Sequence, residues 1–301
     1  MDPRRGGTWN PLQEQAEQLA AELPPLLVAA ERLASSVSLG VHGRRKAGMG
    51  ESFWQFRRYA QQDPSSAIDW RQSAKSQHLF VREREWEAAQ AVWFWRDGSR
   101  TMRYRSQFAE MTKIDRATLL ALALGSLFVR GGERIALLGD GHAPALGRAA
   151  LRRIAHELSQ APPDDDTLPP DAPITRDSQF VWLSDFLSHT SATEAAMQRL
   201  ANSGVSGTLV HIVDPAEEDF PFEGRTRFDS LTNSDHELFG RAETVQESYR
   251  TRFRAHGEEV QAVVRKLGWS YLAHRTDRRP ETVLIALYGE IGGEPVQRSL
   301  T

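Results

Sequence analysis

The chain has 301 residues, of which 40% are hydrophobic and 26% are charged, with a formal net charge of −3. This length can hold one large α/β domain with an appendage or two smaller domains, and the composition is that of an ordinary globular protein. The near-neutral charge argues against a general nucleic-acid binder. Because the chain has no cysteine, disulfides, thiolate metal sites and cysteine nucleophiles are excluded, and a metal ion would need oxygen or histidine ligands.

Residues 1–40 are predicted to form an N-terminal helical arm. Apolar residues recur at helical spacing over residues 12–23, Pro24 and Pro25 interrupt the pattern, and residues 26–33 resume it. We expect residues 1–40 to be either a helical element that packs on the rest of the protein or a partly mobile arm. The first residues lack the apolar core of a signal peptide, and the apolar windows are too short to cross a bilayer, so we expect a cytoplasmic protein without membrane insertion.

The next segment, residues 41–90, is dense in aromatic and charged residues. Its aromatic side chains need burial, which predicts a loop-rich segment packed on the main domain rather than a linker. The basic and aromatic tract 44–59 fits a nucleic-acid surface, but interleaved acids such as Asp69 favour internal pairing. We expect Asp69 and Trp70 to be largely buried, with Asp69 paired to an arginine or to backbone N–H groups, because an unpaired buried carboxylate is costly.

Residues 91–95 (AVWFW) form a short apolar run that is soon followed by Asp97, with Ser99 and Thr101 at the next alternate positions. A run this short does not suit a helix and fits a strand of a parallel sheet covered on both faces. Residues two apart in an extended loop point the same way, so the three oxygen side chains converge beyond the carboxyl end of the strand, where such sheets bind ligands. This set can hold a small hard cation. Alternatively, Asp97 and Ser99 cap the next helix.

Strands and helices alternate over the rest of the chain. Further strands are predicted at 134–138, 180–184, 207–213 and 269–273, helices at 114–128, 148–160, 193–202, 242–267 and 281–288, and an irregular or hairpin-like stretch at 214–235. This alternation predicts an α/β fold with a doubly wound, mostly parallel sheet over residues 91–301. Asp185 ends its strand as Asp97 ends the first, so we expect residues 91–96 and 180–184 to be adjacent parallel strands.

Several motifs are distinctive in their order and spacing. They are Gly48-x-Gly50-x-x-Phe53, Arg58-Tyr59, Asp63, Ile68-Asp69-Trp70-Arg71 with Ser73-Ala74, Val81-Arg82-Glu83 and Asp97-Gly98-Ser99. The series continues, more loosely, through Ser184-Asp185-Phe186, Asp214-Pro215-x-Glu217, Pro221-x-x-Gly224 and Tyr249. Together they resemble the bacterial proteins that carry the domain of unknown function 58, which are relatives of the von Willebrand factor A fold. The resemblance covers most of the chain after about residue 40.

The resemblance implies a metal-ion-dependent adhesion site. In such a site, Mg²⁺ is held by a D-x-S-x-S/T loop, by a later threonine and by an aspartate that ends a neighbouring strand, and a partner's carboxylate completes the octahedron. The residues of this chain that match are Asp97, Ser99, Thr101 and Asp185. Thr167 and Thr175 lie in the interval of the later threonine, but neither has a motif around it.

The resemblance also implies a non-catalytic interaction module, an adaptor between a MoxR-type AAA+ ATPase and an unidentified client protein, in protein assembly or maturation. An alternative is a Mg²⁺-dependent phosphohydrolase of the haloacid dehalogenase type, in which a D-x-D-x-T loop and a later aspartate build a phosphoaspartyl site. Here Ser99 stands where that enzyme has its second aspartate, the general acid. A nuclease lacks the required local spacing of acids and lysine, and the scattered histidines disfavour a zinc hydrolase.

Overall fold

The structure, a computed structural model, describes residues 25–41, 53–59, 68–75, 78–84, 90–161, 167–230 and 236–292. Helices and strands alternate along most of this length. In chain order they are α1 (Pro25–Val41), β1 (Phe53–Arg58), α2 (Trp70–Ser73), β2 (Phe80–Arg84), β3 (Ala91–Arg96), α3 (Lys113–Gly131), β4 (Arg134–Leu137), α4 (Gly147–Gln160), β5 (Gln179–Ser184), α5 (Thr190–Asn202), β6 (Ser206–Val213), α6 (Pro215–Asp219), β7 (Thr226–Asp229), β8 (His236–Phe239), α7 (Gln246–Lys266), β9 (Ser270–Arg275) and α8 (Pro280–Ile291).

The largest sheet in the described ranges is parallel and has five strands, in the order β4-β3-β5-β6-β9. β3 and β5 are adjacent, with Trp93 opposite Phe180 and Arg96 opposite Leu183, which confirms the predicted pairing. Because the strands run in the same direction, their carboxyl ends lie at the same edge of the sheet. We call this the carboxyl edge, and it brings together the loops that follow β3, β5 and β6.

Alternate strand residues pack against helices on opposite faces of the sheet. Phe94 and Val181 belong to the larger core cluster, with residues of α1, α3, α4 and α8. Trp93 and Trp182 belong to the second cluster, with residues of α5 and α7. A strand covered on both faces has to be apolar at every position, which explains the unbroken run at residues 91–95. The fold is therefore the predicted α/β fold with a doubly wound parallel sheet.

Helix α1, the described part of the predicted arm, packs into the larger core cluster. Its residues Leu27, Ala30, Ala34 and Val37 are buried and recur at three- or four-residue spacing on one helix face. Each large apolar side chain buried in this way contributes roughly 1.5–3 kcal/mol, so α1 stabilises the main domain. The earlier half of the predicted arm lies outside the described residues.

The segment between α1 and β3 contains a separate antiparallel sheet of β1 and β2. Asp69 is half-buried and accepts a hydrogen bond at 2.9 Å from a backbone N–H three residues on, which confirms the expected pairing of its carboxylate. The expected burial of Trp70 is wrong, since that residue is 65% exposed. The buried residue of α2 is instead Ser73, whose hydroxyl accepts at 2.9 Å from the backbone N–H of Phe80 and ties α2 to β2. The side chains of residues 44–57 lie outside the described part of the chain.

The chain continues after β6 through α6 and the hairpin of β7 and β8, as the irregular or hairpin-like prediction requires. It then forms α7, β9 and α8 close to the positions predicted for two helices and a strand. Within the described ranges, every helix is too short or insufficiently apolar to cross a membrane.

Candidate functional site

Asp97 lies immediately beyond β3 and is completely buried. Its backbone N–H donates to the carbonyl of Leu183 at 2.9 Å, which extends the ladder between β3 and β5 to the end of the strand. Its carboxylate oxygen Oδ1 accepts from the backbone N–H of Ser99 at 2.8 Å, and Oδ2 accepts from the Ser184 hydroxyl at 2.7 Å. Burial, and then the neighbouring Asp185, raise the pKa of Asp97 to about 6, against the lowering effect of these hydrogen bonds.

The two hydroxyls of the D-x-S-x-T loop converge as the sequence predicts. Ser99 Oγ and Thr101 Oγ1 are 3.0 Å apart, and Ser99 is 3% exposed while Thr101 is half-buried. The alternative in which Asp97 and Ser99 cap the next helix does not hold. Helix α3 is capped by Thr112, whose side chain accepts from the backbone N–H of Asp115 at 3.1 Å.

Asp185 follows the last residue of β5 and lies beside the Asp97 loop. It is 2% exposed, and both of its carboxylate oxygens accept hydrogen bonds. Oδ1 accepts from the backbone N–H of Leu187 at 3.2 Å, and Oδ2 accepts from Lys113 Nζ at 2.9 Å. The next residue, Phe186, has a φ of 51°, a left-handed conformation that is costly for an aromatic residue and that marks a tightly determined turn.

Lys113 is the residue that the sequence analysis missed. It is the first residue of α3, it is completely buried, and its ammonium binds both Asp185 and Glu217. Burial alone would lower the pKa of Lys113, but the two carboxylates outweigh it and raise that pKa above its usual value, so the ammonium stays charged. The sequence feature that could have indicated a buried role is the position of this lysine at the start of a helix that is otherwise apolar on nearly every face.

Asp214 and Glu217 connect the loop after β6 to the rest of the carboxyl edge. They form a reciprocal cap on α6, in which Asp214 Oδ1 accepts from the backbone N–H of Ala216 at 2.9 Å and Glu217 Oε2 accepts from that of Asp214 at 2.8 Å. Asp214 Oδ2 accepts from the backbone N–H of Ser106, in the loop after β3, at 2.9 Å. We call Asp97, Lys113, Asp185, Asp214 and Glu217 the edge cluster; its contacts join the loops after β3, β5 and β6.

An aromatic cleft lies next to Glu217. It is lined by Tyr104, Ala216, Glu217, Phe220, Phe222, Phe228 and Tyr249. Tyr249, which belongs to the family motifs, packs its ring 4.6 Å from that of Phe220. Burial, followed by Asp214 and Glu217, raises the pKa of Tyr104, so its hydroxyl stays protonated at neutral pH.

The predicted Mg²⁺ site can be tested against these contacts. The two hydroxyls suit a hard cation, and each carboxylate oxygen of Asp97 and Asp185 accepts one hydrogen bond within the chain, which leaves a lone pair on each oxygen. The ammonium of Lys113 lies 2.9 Å from Asp185 Oδ2 and would repel a dication bound there. As placed, these residues do not fit an open Mg²⁺ site. The Mg²⁺ site therefore stays a prediction that rests on the family resemblance alone.

The two threonines in the interval of the later threonine ligand are Thr167 and Thr175. Thr175 is exposed and its carbonyl accepts from the Ser178 hydroxyl at 2.5 Å, immediately before β5 begins. This position is at the amino end of β5, the opposite end from Asp185, and so Thr175 does not reach the site. Thr167 is half-buried in the loop that follows α4.

The family described as "Protein of unknown function DUF58" matches residues 55–262 of this chain. A comparison with curated proteins finds no match. One similar crystal structure is an aerotolerance-related membrane protein from Bacteroides fragilis NCTC 9343 with multiple mutations to serines, at 15% identity and a TM-score of 0.43, over 68% of this chain and 99% of that one. Another is the conserved hypothetical protein BatB from Bacteroides thetaiotaomicron, at 11% identity and a TM-score of 0.37, over the same shares of 68% and 99%.

Proposed function

The chain belongs to the DUF58 family, and we propose that it is a non-catalytic interaction module whose carboxyl edge docks a MoxR-type AAA+ ATPase and a client protein. The observation that supports this proposal is the burial of the carboxylates that an enzyme would use. Asp97 and Asp185 are 0% and 2% exposed, and their oxygens are engaged by donors of the chain itself. Groups held in this way fix the shape of a surface rather than attack a substrate.

The haloacid dehalogenase alternative has weaker support. Its nucleophilic aspartate has to reach a phosphoryl group in line, with a second carboxyl group nearby to protonate the leaving group. The oxygens of Asp97 face Ser99 and Ser184 inside the protein, and the place of the second carboxyl group is taken by the Ser99 hydroxyl. A serine hydroxyl is a poor general acid because its pKa lies far above neutral pH, so it does not readily give up its proton.

Two exposed apolar side chains lie in the carboxyl-edge loops and support docking at this edge. Phe108, in the loop after β3, is 47% exposed, and Leu187, in the loop after β5, is 46% exposed. Hydrogen bonds hold the backbone of each loop close to these side chains. The backbone N–H of Ser106 donates to Asp214, and the backbone N–H of Leu187 donates to Asp185. Large apolar side chains on a preformed surface can bind a partner protein without a high entropic cost of ordering the loops.

The proposed partner also sets the proposed location. An AAA+ ATPase consumes ATP, so the two proteins would meet in the cytoplasm, and the adaptor would need no catalytic group of its own.

The proposal is tested by combining a binding assay with an activity assay on the full chain. The purified protein should bind the MoxR-type AAA+ ATPase of its own organism in the presence of ATP, while phosphatase and ATPase activity of the chain alone stay at background. Turnover of a phosphate ester that disappears in Asp97→Asn would contradict the proposal and favour the phosphohydrolase. Absence of binding to the ATPase, with the protein folded, would also contradict it.

A further inference from the structure

The ammonium of Lys113 occupies a position that needs a cation. It lies 2.9 Å from Asp185 Oδ2 and also binds Glu217 Oε1, and its side chain is fully shielded from solvent. The lysine belongs to α3, whereas the two carboxylates follow β5 and β6. One positive charge therefore joins three separate parts of the carboxyl edge, a role that a bound metal ion performs in many proteins.

We propose that Lys113 is the resident cation of the carboxyl edge, so that the edge is held together by the protein's own ammonium without a divalent metal ion. Local helix preferences do not account for the lysine, because it stands at the first residue of α3, where the helix dipole disfavours a positive charge. Its Nζ lies over the ring of Tyr104, 6.0 Å from the ring centre. The two carboxylates are the groups that hold it there.

A dication and this ammonium would compete for Asp185. A Mg²⁺ ion bound to Asp185 Oδ2 at about 2.1 Å would lie within roughly 5 Å of Lys113 Nζ. At that separation inside a protein the two positive charges repel each other strongly. The D-x-S-x-T loop is stabilised by other donors, since Asp97 already accepts from Ser99 and Ser184. The edge is therefore complete with Lys113 alone.

The test is a thermal melt of the full chain with excess EDTA and with millimolar Mg²⁺ or Mn²⁺. The wild-type protein should melt at the same temperature in each condition. Lys113→Met, which keeps an unbranched side chain of nearly the same length and removes its charge, should melt lower in EDTA and gain stability when the metal ion is added. The double variant Lys113→Met with Asp185→Asn should lose that gain.

Three outcomes would overturn the proposal. The first is a wild-type melting temperature that rises with Mg²⁺ and no longer does so in Asp97→Ala. The second is a Lys113→Met protein that melts like the wild type in EDTA. The third outcome applies if Lys113→Met does not fold. Mn²⁺ is then titrated into the wild-type protein and followed by the paramagnetic resonance signal of the metal ion, which should detect no specific site. A saturable Mn²⁺ site would overturn the proposal. None of these measurements uses a partner, so their failure is separate from failure of the docking proposal.

Discussion

Lys113 Nζ lies 2.9 Å from Asp185 Oδ2, and the two side chains are 0% and 3% exposed, although 72 residues separate them in the sequence. Removing one member of a buried pair leaves a charge without its counterpart, which is strongly destabilising. Asp185→Asn should therefore lower the free energy of unfolding by about 3 kcal/mol, at the lower end of the usual range because Glu217 still holds the ammonium.

Denaturation in urea measures this loss, and the exposed pair of Arg227 and Asp229 supplies the control. Their side chains are 60% and 62% exposed, so Asp229→Asn should change the free energy of unfolding by less than about 1 kcal/mol. Equal effects of the two substitutions would mean that Lys113 and Asp185 do not form a stabilising pair.

Gly207 in β6 is predicted to tolerate no side chain. A Cβ atom there would lie 2.0 Å from a ring carbon of Trp269, which is 7% exposed and cannot move without disturbing the second core cluster. Gly207→Ala should therefore destabilise by about 3 kcal/mol through overpacking. Gly257→Ala in α7 is the matched control, because a Cβ there meets no atom within 4 Å and alanine favours the helix by up to about 1 kcal/mol. Calorimetric melts that shift in the same direction for both would contradict this packing.

His274 in β9 is predicted to make stability depend on pH. Burial, and then Arg116 of α3, lower the pKa of this imidazole to about 4, while Asp277 acts in the opposite direction. Because the unfolded chain binds the proton more readily, the stabilisation is complete above about pH 6.5 and is lost as the pH falls toward about 4. At pH 5 the loss should be about 2 kcal/mol.

This loss is measured by urea denaturation at pH 7.5 and pH 5 on the wild type and on His274→Asn. The variant should show a smaller decrease between the two pH values, by about 2 kcal/mol. His142→Asn, which replaces a histidine whose side chain is 52% exposed, is the control and should retain the wild-type decrease. An unchanged decrease in His274→Asn would show that another group carries the pH dependence.

Trp70→Ala is predicted to have little effect on stability. The residue is 65% exposed, so its truncation should cost less than about 1 kcal/mol. Trp182→Ala, in the centre of the sheet at 0% exposure, should cost about 3–5 kcal/mol. A large loss from Trp70→Ala would mean that this side chain is covered in solution, as the sequence alone had indicated.

The sequence was sufficient for the sheet because two independent patterns agree there. Strands β3 and β5 are largely apolar and covered on both faces, and Asp97 and Asp185 each follow the last residue of one of them. Parallel strands place both aspartates at one edge, so their proximity follows from topology alone. No long-range side-chain contact had to be guessed.

The sequence was insufficient where the position of a side chain depends on the other residues of the chain that it contacts. Trp70 is large and apolar, but its size does not indicate on which side of α2 it projects, and Ser73 takes the buried position. Lys113 would ordinarily be assigned to solvent, and its partners lie 72 and 104 residues away. Nor does helical spacing in α1 distinguish a peripheral arm from a helix that completes the main core.

The most direct test of docking at the carboxyl edge is the dissociation constant for the MoxR-type AAA+ ATPase, measured in ATP with single alanine variants. Phe108→Ala and Leu187→Ala remove exposed side chains of the edge loops, and each should weaken binding about tenfold or more. Leu146→Ala is the control, because this residue is 57% exposed and precedes α4 near the amino end of β4. Binding that is unchanged by both edge variants, or weakened equally by Leu146→Ala, would contradict docking at the carboxyl edge.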